Sequence, residues 1–256
     1  MEKRIRLHAL DALRGACLIS MAAFHGMWNL VYLFGVEAPW YKGTAGFLWQ
    51  QSICWTFLLL AGFCWRMSRS HLKRGLLVFG GGILVSAVTH IFMPEEAITF
   101  GILTCTGSCV LLMILLDRVF CRIPPVAGMI GSFAAFVLTY GCDNGTAIFG
   151  QVNLPGTWYR NLFTTWLGFP MGGFVSADYF PLIPWLLLFV TGYFLYGILH
   201  SRGLDEKLFA RGKIPVLNWL GRHSLLVYLL HQPILYGLCL LIFLMACSMG
   251  ATRFVF

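Results

Sequence analysis

Arg14 and His25 have the residue types and the spacing that could bind and activate a long thioester donor. If the segment is helical, eleven residues return His25 to within about 20° of the face that carries Arg14, roughly 16 Å along the axis. A guanidinium binds phosphate through paired, charge-assisted hydrogen bonds, and an imidazole can act as a base near neutral pH. An extended pantetheine arm covers a comparable distance, on the order of 15–20 Å. Taken alone, Arg14 could equally anchor the helix at a membrane boundary.

The composition indicates what kind of element positions this pair. Of the 256 residues, 59% are hydrophobic and only 11% are charged, against about 25% charged in ordinary soluble domains. A soluble fold of this length could not bury so much apolar surface. The net charge of +8 is spread in short clusters between apolar runs, which is typical of a polytopic membrane protein and not of a nucleic-acid-binding domain. The sequence therefore predicts one integral membrane domain over residues 1–256, with membrane lipid and no nucleic acid as a partner.

Seven stretches without Asp, Glu, Lys or Arg predict the membrane spans. Each reaches or approaches the roughly 20 residues that a helix needs to cross the hydrocarbon core, and helices satisfy their own backbone hydrogen bonds in lipid. The predicted fold class is an all-α integral membrane protein, a bundle of about seven transmembrane helices. The stretches are about 15–33, 45–65, 75–93, 97–116, 123–142, 181–199 and 223–248.

The segments that join these stretches differ in charge. With a cytoplasmic N-terminus, only Lys42, Arg160 and Arg253 of the 18 basic residues fall outside. Retention of positive charge on the cytoplasmic side predicts this orientation. The longest outer segment, about 143–180, is rich in Gly, Trp and Phe. It is predicted either as a loop with an interfacial helix or as a partly re-entrant lid over a cavity.

Two histidines lie well inside the predicted spans, His25 in the first and His231 in the last. An ionisable residue inside a membrane is a candidate functional group, although a neutral imidazole that joins two helices would explain either one. Two histidines on different helices could also ligate a haem. A retinal protein is excluded, because no predicted span contains the lysine that a Schiff base requires.

The nine cysteines carry less information, because most of them lie inside the spans as small apolar packing residues. Cys105 and Cys109 share a helix face, but no further soft ligand lies near them in the sequence, so no metal is expected. Cys142 and Cys247 both fall near the predicted outer surface, where a disulfide could join them without being required by their spacing.

Four segments together resemble one family. RLHALDALRGACLISMAAFHGMWNL at 6–30 is similar to the first helix of the heparan-alpha-glucosaminide N-acetyltransferase catalytic-domain family in its short bacterial form. It also has the Arg-x10-His pattern of the wider transmembrane acyltransferases. The other three are FGILTCTG at 100–107, ADYFPLIPW at 177–185 and LGRHSLLVYLLHQP at 220–233, so the resemblance covers nearly the whole chain.

The resemblance implies transfer of an acyl group, typically acetyl, from cytosolic acetyl-CoA to an amine or hydroxyl of a sugar or glycan on the outer side of a bacterial cytoplasmic membrane. By position, His25 would be the catalytic base, and Asp178 would face the acceptor or else cap the helix that begins near Pro181. A second copy of the chain, in a homo-oligomer, is a further possible partner. The predicted donor-binding residues are Arg14, Arg66, Arg74, Arg118, Arg222 and His223, and the predicted cavity residues are His231, Gln232 and Thr104.

Two positions depart from the family pattern. Thr104 stands where bacterial relatives often have histidine, so one cavity imidazole is absent. The lysosomal enzymes have asparagine at the position of His25 and place their catalytic histidine near Val36 here, beside Glu37. Two other classes stay open: a small-molecule transporter, which would show discontinuous helices or inverted repeats, and a haem-binding electron carrier.

Overall fold

The computed structural model of the protein describes residues 7–210 and 212–248. It is 74% helical with almost no sheet, which confirms the predicted all-α membrane bundle. In chain order the helices are α1 (His8–Trp28, continued by a π-helical turn at Asn29–Leu33), α2 (Pro39–Lys42), α3 (Thr44–Phe63), α4 (His71–Phe92), α5 (Ile102–Phe120), α6 (Pro125–Thr139), α7 (Leu162–Leu167), α8 (Leu182–Ser201), α9 (Leu204–Phe209), α10 (Pro215–Arg222) and α11 (Ser224–Ser248).

Within the described residues, six helices are long and apolar enough to cross a membrane. The remaining predicted stretch corresponds to α3, which is 20 residues long but carries Gln50 and Gln51 near its middle. The bundle is therefore built from the predicted helices. The six spans are His8–Leu33, His71–Phe92, Ile102–Phe120, Pro125–Asn144, Leu182–Ser201 and Ser224–Ile242.

The chain divides into two compact units, one of Met1–Phe57 with Glu206–Phe256 and one of Leu58–Asp205. In the first unit, α1 packs against both α10 and α11. Two glycines allow the closest approach: a Cβ on Gly15 would lie 2.1 Å from the Leu217 carbonyl oxygen, and one on Gly221 would lie 1.9 Å from that of Asp11. The backbones of α1 and α10 are thus in direct contact, and this contact positions the start of α1 against Arg222.

In the second unit, α4 packs on α5 and α6 packs on α8. The large side chains of Tyr193, Phe189 and Phe136 are fully buried there. Ser132 of α6 and Thr191 of α8 share a hydrogen bond of 3.0 Å between their hydroxyls. These helices form a packed core of their own.

The predicted outer segment folds onto the second unit. It contains a two-stranded antiparallel pair, Thr146–Ala147 with Val152–Asn153, and the short helix α7. The Trp166 indole of α7 donates to the Ser108 hydroxyl of α5 at 3.2 Å, and the Tyr159 hydroxyl donates to the Cys142 carbonyl at 2.6 Å. The segment therefore has a defined structure with a short helix, while a lid function stays a prediction.

Some sequence predictions fall outside what the structure describes. The basic residues at both chain ends, together with one in the loop before α10, belong to this group, so the predicted orientation rests on the sequence. They are Lys3, Arg4, Arg6, Arg211 and Arg253. The side chain of Cys247 also lies outside the described part, whereas Cys142 is a buried free thiol.

Candidate active site

His25 and His231 are in contact. His25 lies in the last turn of α1 and His231 lies on α11, and their ring centroids are 5.0 Å apart with the ring planes tilted by 55°. Both residues are partly buried. The first unit therefore brings together the two intramembrane histidines that the sequence marked as candidates.

The hydrogen bond of His231 fixes its tautomer. Its Nδ1 lies against the Tyr228 carbonyl oxygen, which can only accept, so Nδ1 carries the proton. The other ring nitrogen, Nε2, is buried and has no hydrogen-bond partner among the described residues. His231 thus presents an unpaired lone pair at Nε2, which can accept a hydrogen bond from a substrate.

The same contact argues against the haem alternative. Bonds from a metal to an imidazole nitrogen are about 2 Å long, so two axial imidazoles on one iron would have ring centroids about 6 Å apart with a planar macrocycle between them. The two rings here are closer, at 5.0 Å, and tilted against each other. They leave no room for a macrocycle between them.

A pair of side-chain amides lies next to the histidines, with Asn29 four residues after His25 and Gln232 directly after His231. Asn29 is the first residue of the π-helical turn and is fully buried. Gln232 Nε2 donates to Asn29 Oδ1 at 2.9 Å, yet Asn29 Nδ2 and Gln232 Oε1 are buried without partners among the described residues. Short π-helical turns occur frequently at functional sites. Sequence reasoning named Gln232 but missed Asn29, whose one signal was its place four residues after His25 in an apolar run.

Arg14 and Arg222 flank a single carboxylate. Arg14 Nη1 lies 3.9 Å from Asp11 Oδ1, and Arg222 Nε lies 3.7 Å from Asp11 Oδ2. Both distances exceed a hydrogen bond. The side chains of the two arginines keep 23% and 36% of their surface exposed. Two of the predicted donor-binding cations therefore lie together, with Asp11 neutralising part of their charge.

Three of the other predicted donor-binding residues belong to the second unit, and His223 directly follows Arg222 in the chain. In the second unit, the Arg66 guanidinium lies over the Tyr193 ring at 5.1 Å from its centroid, Arg74 is in the first turn of α4, and Arg118 is exposed near the end of α5. In the first unit, His223 is exposed, and its Nδ1 lies 2.9 Å from the Trp219 carbonyl oxygen. Each of these groups has an exposed or half-exposed position.

Asp178 lies at the beginning of α5 in the second unit. Its Oδ2 accepts a hydrogen bond of 3.3 Å from the Ile102 N–H, the first of that helix. Asp178 therefore caps α5, and not α8, which begins near Pro181 and has no side-chain cap. Burial raises the pKa of Asp178 from 3.8 to about 6, and the hydrogen bond from Ile102 offsets part of that rise.

Thr104 is a packing residue in the second unit. It is buried, and its hydroxyl donates to the carbonyl of Gly101, the residue before its own helix, at 2.7 Å. A Cβ on Gly82 of α4 would lie 2.6 Å from the Thr104 methyl group. The predicted cavity role of Thr104 stays a prediction, since its hydroxyl and its methyl group are both in close contact with protein.

The six apolar helices and the buried polar groups between α1 and α11 define a polytopic integral membrane protein with a candidate catalytic centre inside the membrane. The family model described as heparan-alpha-glucosaminide N-acetyltransferase, catalytic, matches residues 6–233, nearly the whole chain. The chain belongs to this family, as its four segments predicted, and is a membrane acyltransferase. No curated protein and no solved structure matches it.

Proposed function

We propose that the protein transfers an acyl group, in the first instance acetyl, from acyl-CoA on the cytoplasmic side to an amine or hydroxyl of a sugar-type acceptor on the other side of a bacterial inner membrane. The observation that carries this proposal is the contact between His25 of α1 and His231 of α11, because α1 also carries Arg14 about three turns before His25. By helix rise, His25 lies roughly 16 Å from Arg14, a distance that an extended pantetheine arm could cover, and this supports the proposal.

In this proposal the donor phosphates bind at the pair formed by Arg14 and Arg222. The two guanidiniums lie on either side of Asp11, with their outer surfaces exposed, so an incoming phosphate would exchange weak contacts with Asp11 for stronger charge-assisted ones. Arg66, Arg74, Arg118 and His223 are proposed as further residues that assist donor binding, and the three arginines would act through their charge. Their contribution would be long-range attraction that salt reduces.

The reaction follows from two imidazoles in contact. His25 takes the proton from the acceptor nitrogen or oxygen as that atom attacks the carbonyl carbon of the thioester. His231, held by the Tyr228 carbonyl, accepts a hydrogen bond from the acceptor at Nε2 and orients it. The tetrahedral intermediate then expels the CoA thiolate, which recovers the proton from His25. Direct transfer needs only this base and an aligned acceptor.

The acceptor side is assigned less directly. The family resemblance implies this role for Asp178, whereas its contact with Ile102 supports a capping role. We keep the acceptor role as a proposal, because the kinetics of a single substitution, Asp178→Asn, distinguish the two roles.

Purified protein incubated with acetyl-labelled acetyl-CoA and a panel of amino sugars and neutral sugars tests the proposal. We expect binding of CoA and labelled product with at least one acceptor. A protein that neither binds CoA nor forms product would refute the proposal and favour the transporter class, in which the π-helical turn at 29–33 and Pro233 inside α11 would be helix discontinuities of a transport site.

A further inference from the structure

The amide pair formed by Asn29 and Gln232 has hydrogen-bonding capacity that the protein does not use. One NH2 group donates to one carbonyl oxygen at 2.9 Å, which leaves one NH2 group and one carbonyl oxygen buried without partners among the described residues. If the nitrogen and oxygen positions of both amides are exchanged, one NH2 group and one carbonyl oxygen are again left without partners. In either assignment, the site offers one free donor and one free acceptor.

A buried NH2 group and a buried carbonyl oxygen without partners are unfavourable unless a ligand forms hydrogen bonds with them. Buried polar groups are nearly always hydrogen-bonded, because an unpaired one has lost its water without replacement. Packing alone would be served by apolar side chains of the same shape, as in the apolar cluster of Cys17, Leu18, Met21 and Ile53 in the same unit. The amide pair therefore has the features of a binding group.

The position of the pair relative to the histidines indicates what it binds. Asn29 follows His25 by four residues, so the two side chains lie on one face of the chain, one turn apart. Gln232 is the neighbour of His231 in sequence, and the two contacts His25–His231 and Asn29–Gln232 join α1 to α11 next to each other. A hydrogen-bond donor one turn away from a base is in a position to bind the oxygen of a carbonyl group that is under attack.

We propose that the free NH2 group of the Asn29–Gln232 pair binds the carbonyl oxygen of the thioester and stabilises the negative charge that develops on it. This inference rests on the proposed function. When the acceptor nitrogen or oxygen bonds to the carbonyl carbon, the π electrons of the C=O bond move to oxygen, which the amide N–H groups stabilise. His25 takes the acceptor proton, the C=O bond reforms as the C–S bond breaks, and the thiolate leaves with that proton. The free amide carbonyl accepts a hydrogen bond from a second N–H or O–H of the acceptor.

Four variants test this role. Asn29→Asp and Gln232→Glu each keep one hydrogen bond from an amide to a carboxylate but remove the free NH2 group, whichever assignment is correct. The double variant Asn29→Leu with Gln232→Met replaces both partners by apolar side chains of similar shape, which leaves no unpaired polar group. Ser20→Ala is the matched control, because it removes another bond within the first unit, the 2.8 Å contact from the Trp49 indole to the Ser20 hydroxyl.

The measurements are kcat, the donor Kd and the thermal midpoint of each variant. We expect each of the three site variants to lose about 10²–10³-fold in kcat, the usual effect of removing an oxyanion donor, with a donor Kd within about twofold of wild type. Ser20→Ala should lower the thermal midpoint and keep its kcat. If the double variant loses kcat but melts at the wild-type temperature, the Asn29–Gln232 pair cannot have a purely structural role.

A double variant that transfers at the wild-type rate would overturn the inference, since the pair would then join the helices or hold a resident water only. If the double variant does not fold, Asn29→Asp and Gln232→Glu decide, and near-normal kcat in both would overturn it equally. A wild-type protein that forms no product would refute the proposed function and this inference together, whereas active wild type with active variants refutes the inference alone.

Discussion

The effect of Asp178→Asn on folding stability should change with pH in one direction if the folded chain favours the protonated carboxyl group, and in the opposite direction if it favours the ionised one. Burial holds the pKa of Asp178 at about 6, against 3.8 for an ordinary aspartate. An acid with a raised pKa binds its proton more tightly in the folded chain, so its contribution to stability is present at low pH and is lost as the pH rises through 3.8 to 6. Between pH 4.5 and pH 7 the loss amounts to about 2 kcal/mol.

Thermal unfolding in detergent, followed by the fluorescence of the nine tryptophans, measures this effect. For a chain of this size about 2 kcal/mol corresponds to a shift of about 4–8 °C in the midpoint. The asparagine side chain of the variant cannot ionise, but its carbonyl can still accept from Ile102. The midpoint of wild type minus that of Asp178→Asn should therefore fall by this amount from pH 4.5 to pH 7. Glu37→Gln removes an exposed carboxyl group and is the matched control for the change of charge itself.

A difference that grows with pH would refute this reasoning, because it would show that the ionised carboxylate stabilises α5 through its cap and the helix dipole. The same variant tests the acceptor role. A raised KM for the acceptor with an unchanged donor Kd would support contact with the acceptor, and unchanged kinetics would leave Asp178 as a cap alone.

The remaining predictions concern the donor. Arg14→Ala should weaken CoA binding without unfolding the protein, and Arg14→Lys should recover only part of the affinity, because a point charge cannot form the bidentate contact. Isothermal titration with CoA measures both affinities. Unchanged affinity in both variants would leave Arg14 as a membrane anchor. Asp11→Asn should tighten CoA binding about two- to fivefold, because it removes the carboxylate that competes for Arg14 and Arg222 over distances longer than a hydrogen bond. The CoA Kd should rise with salt between low and moderate ionic strength, and a salt-independent Kd would contradict this binding mode.

The helices and the histidine pair could be predicted from the sequence because both depend on local pattern. Absence of charge over about 20 residues marks a span, and the position of His25 and His231 inside such stretches marks them as candidates. The structure adds that their rings touch, which no spacing within a single helix can show. The family was recognisable for the same reason, since its motifs are continuous segments.

The contacts between distant segments could not be predicted. Asp178 caps α5, which begins 76 residues earlier in the chain, and not the adjacent α8. Asp11 lies between Arg14 and Arg222, which only the packing of α10 on α1 brings together. Asn29 gained significance only through Gln232, 203 residues away. Each of these depends on tertiary packing, which hydrophobic periodicity does not report.

His25 is proposed as the base of an acyl transfer, and turnover of His25→Ala with labelled acetyl-CoA and a verified acceptor tests this role most directly. His90→Ala serves as the control, because His90 is a histidine of the α4 span that contacts Ser86 and Thr99 and lies outside the proposed machinery. We predict a loss of about 10²–10⁴-fold in kcat for His25→Ala, the usual contribution of a general base, with unchanged CoA affinity and normal turnover in the control. Near-normal transfer by His25→Ala would contradict the account.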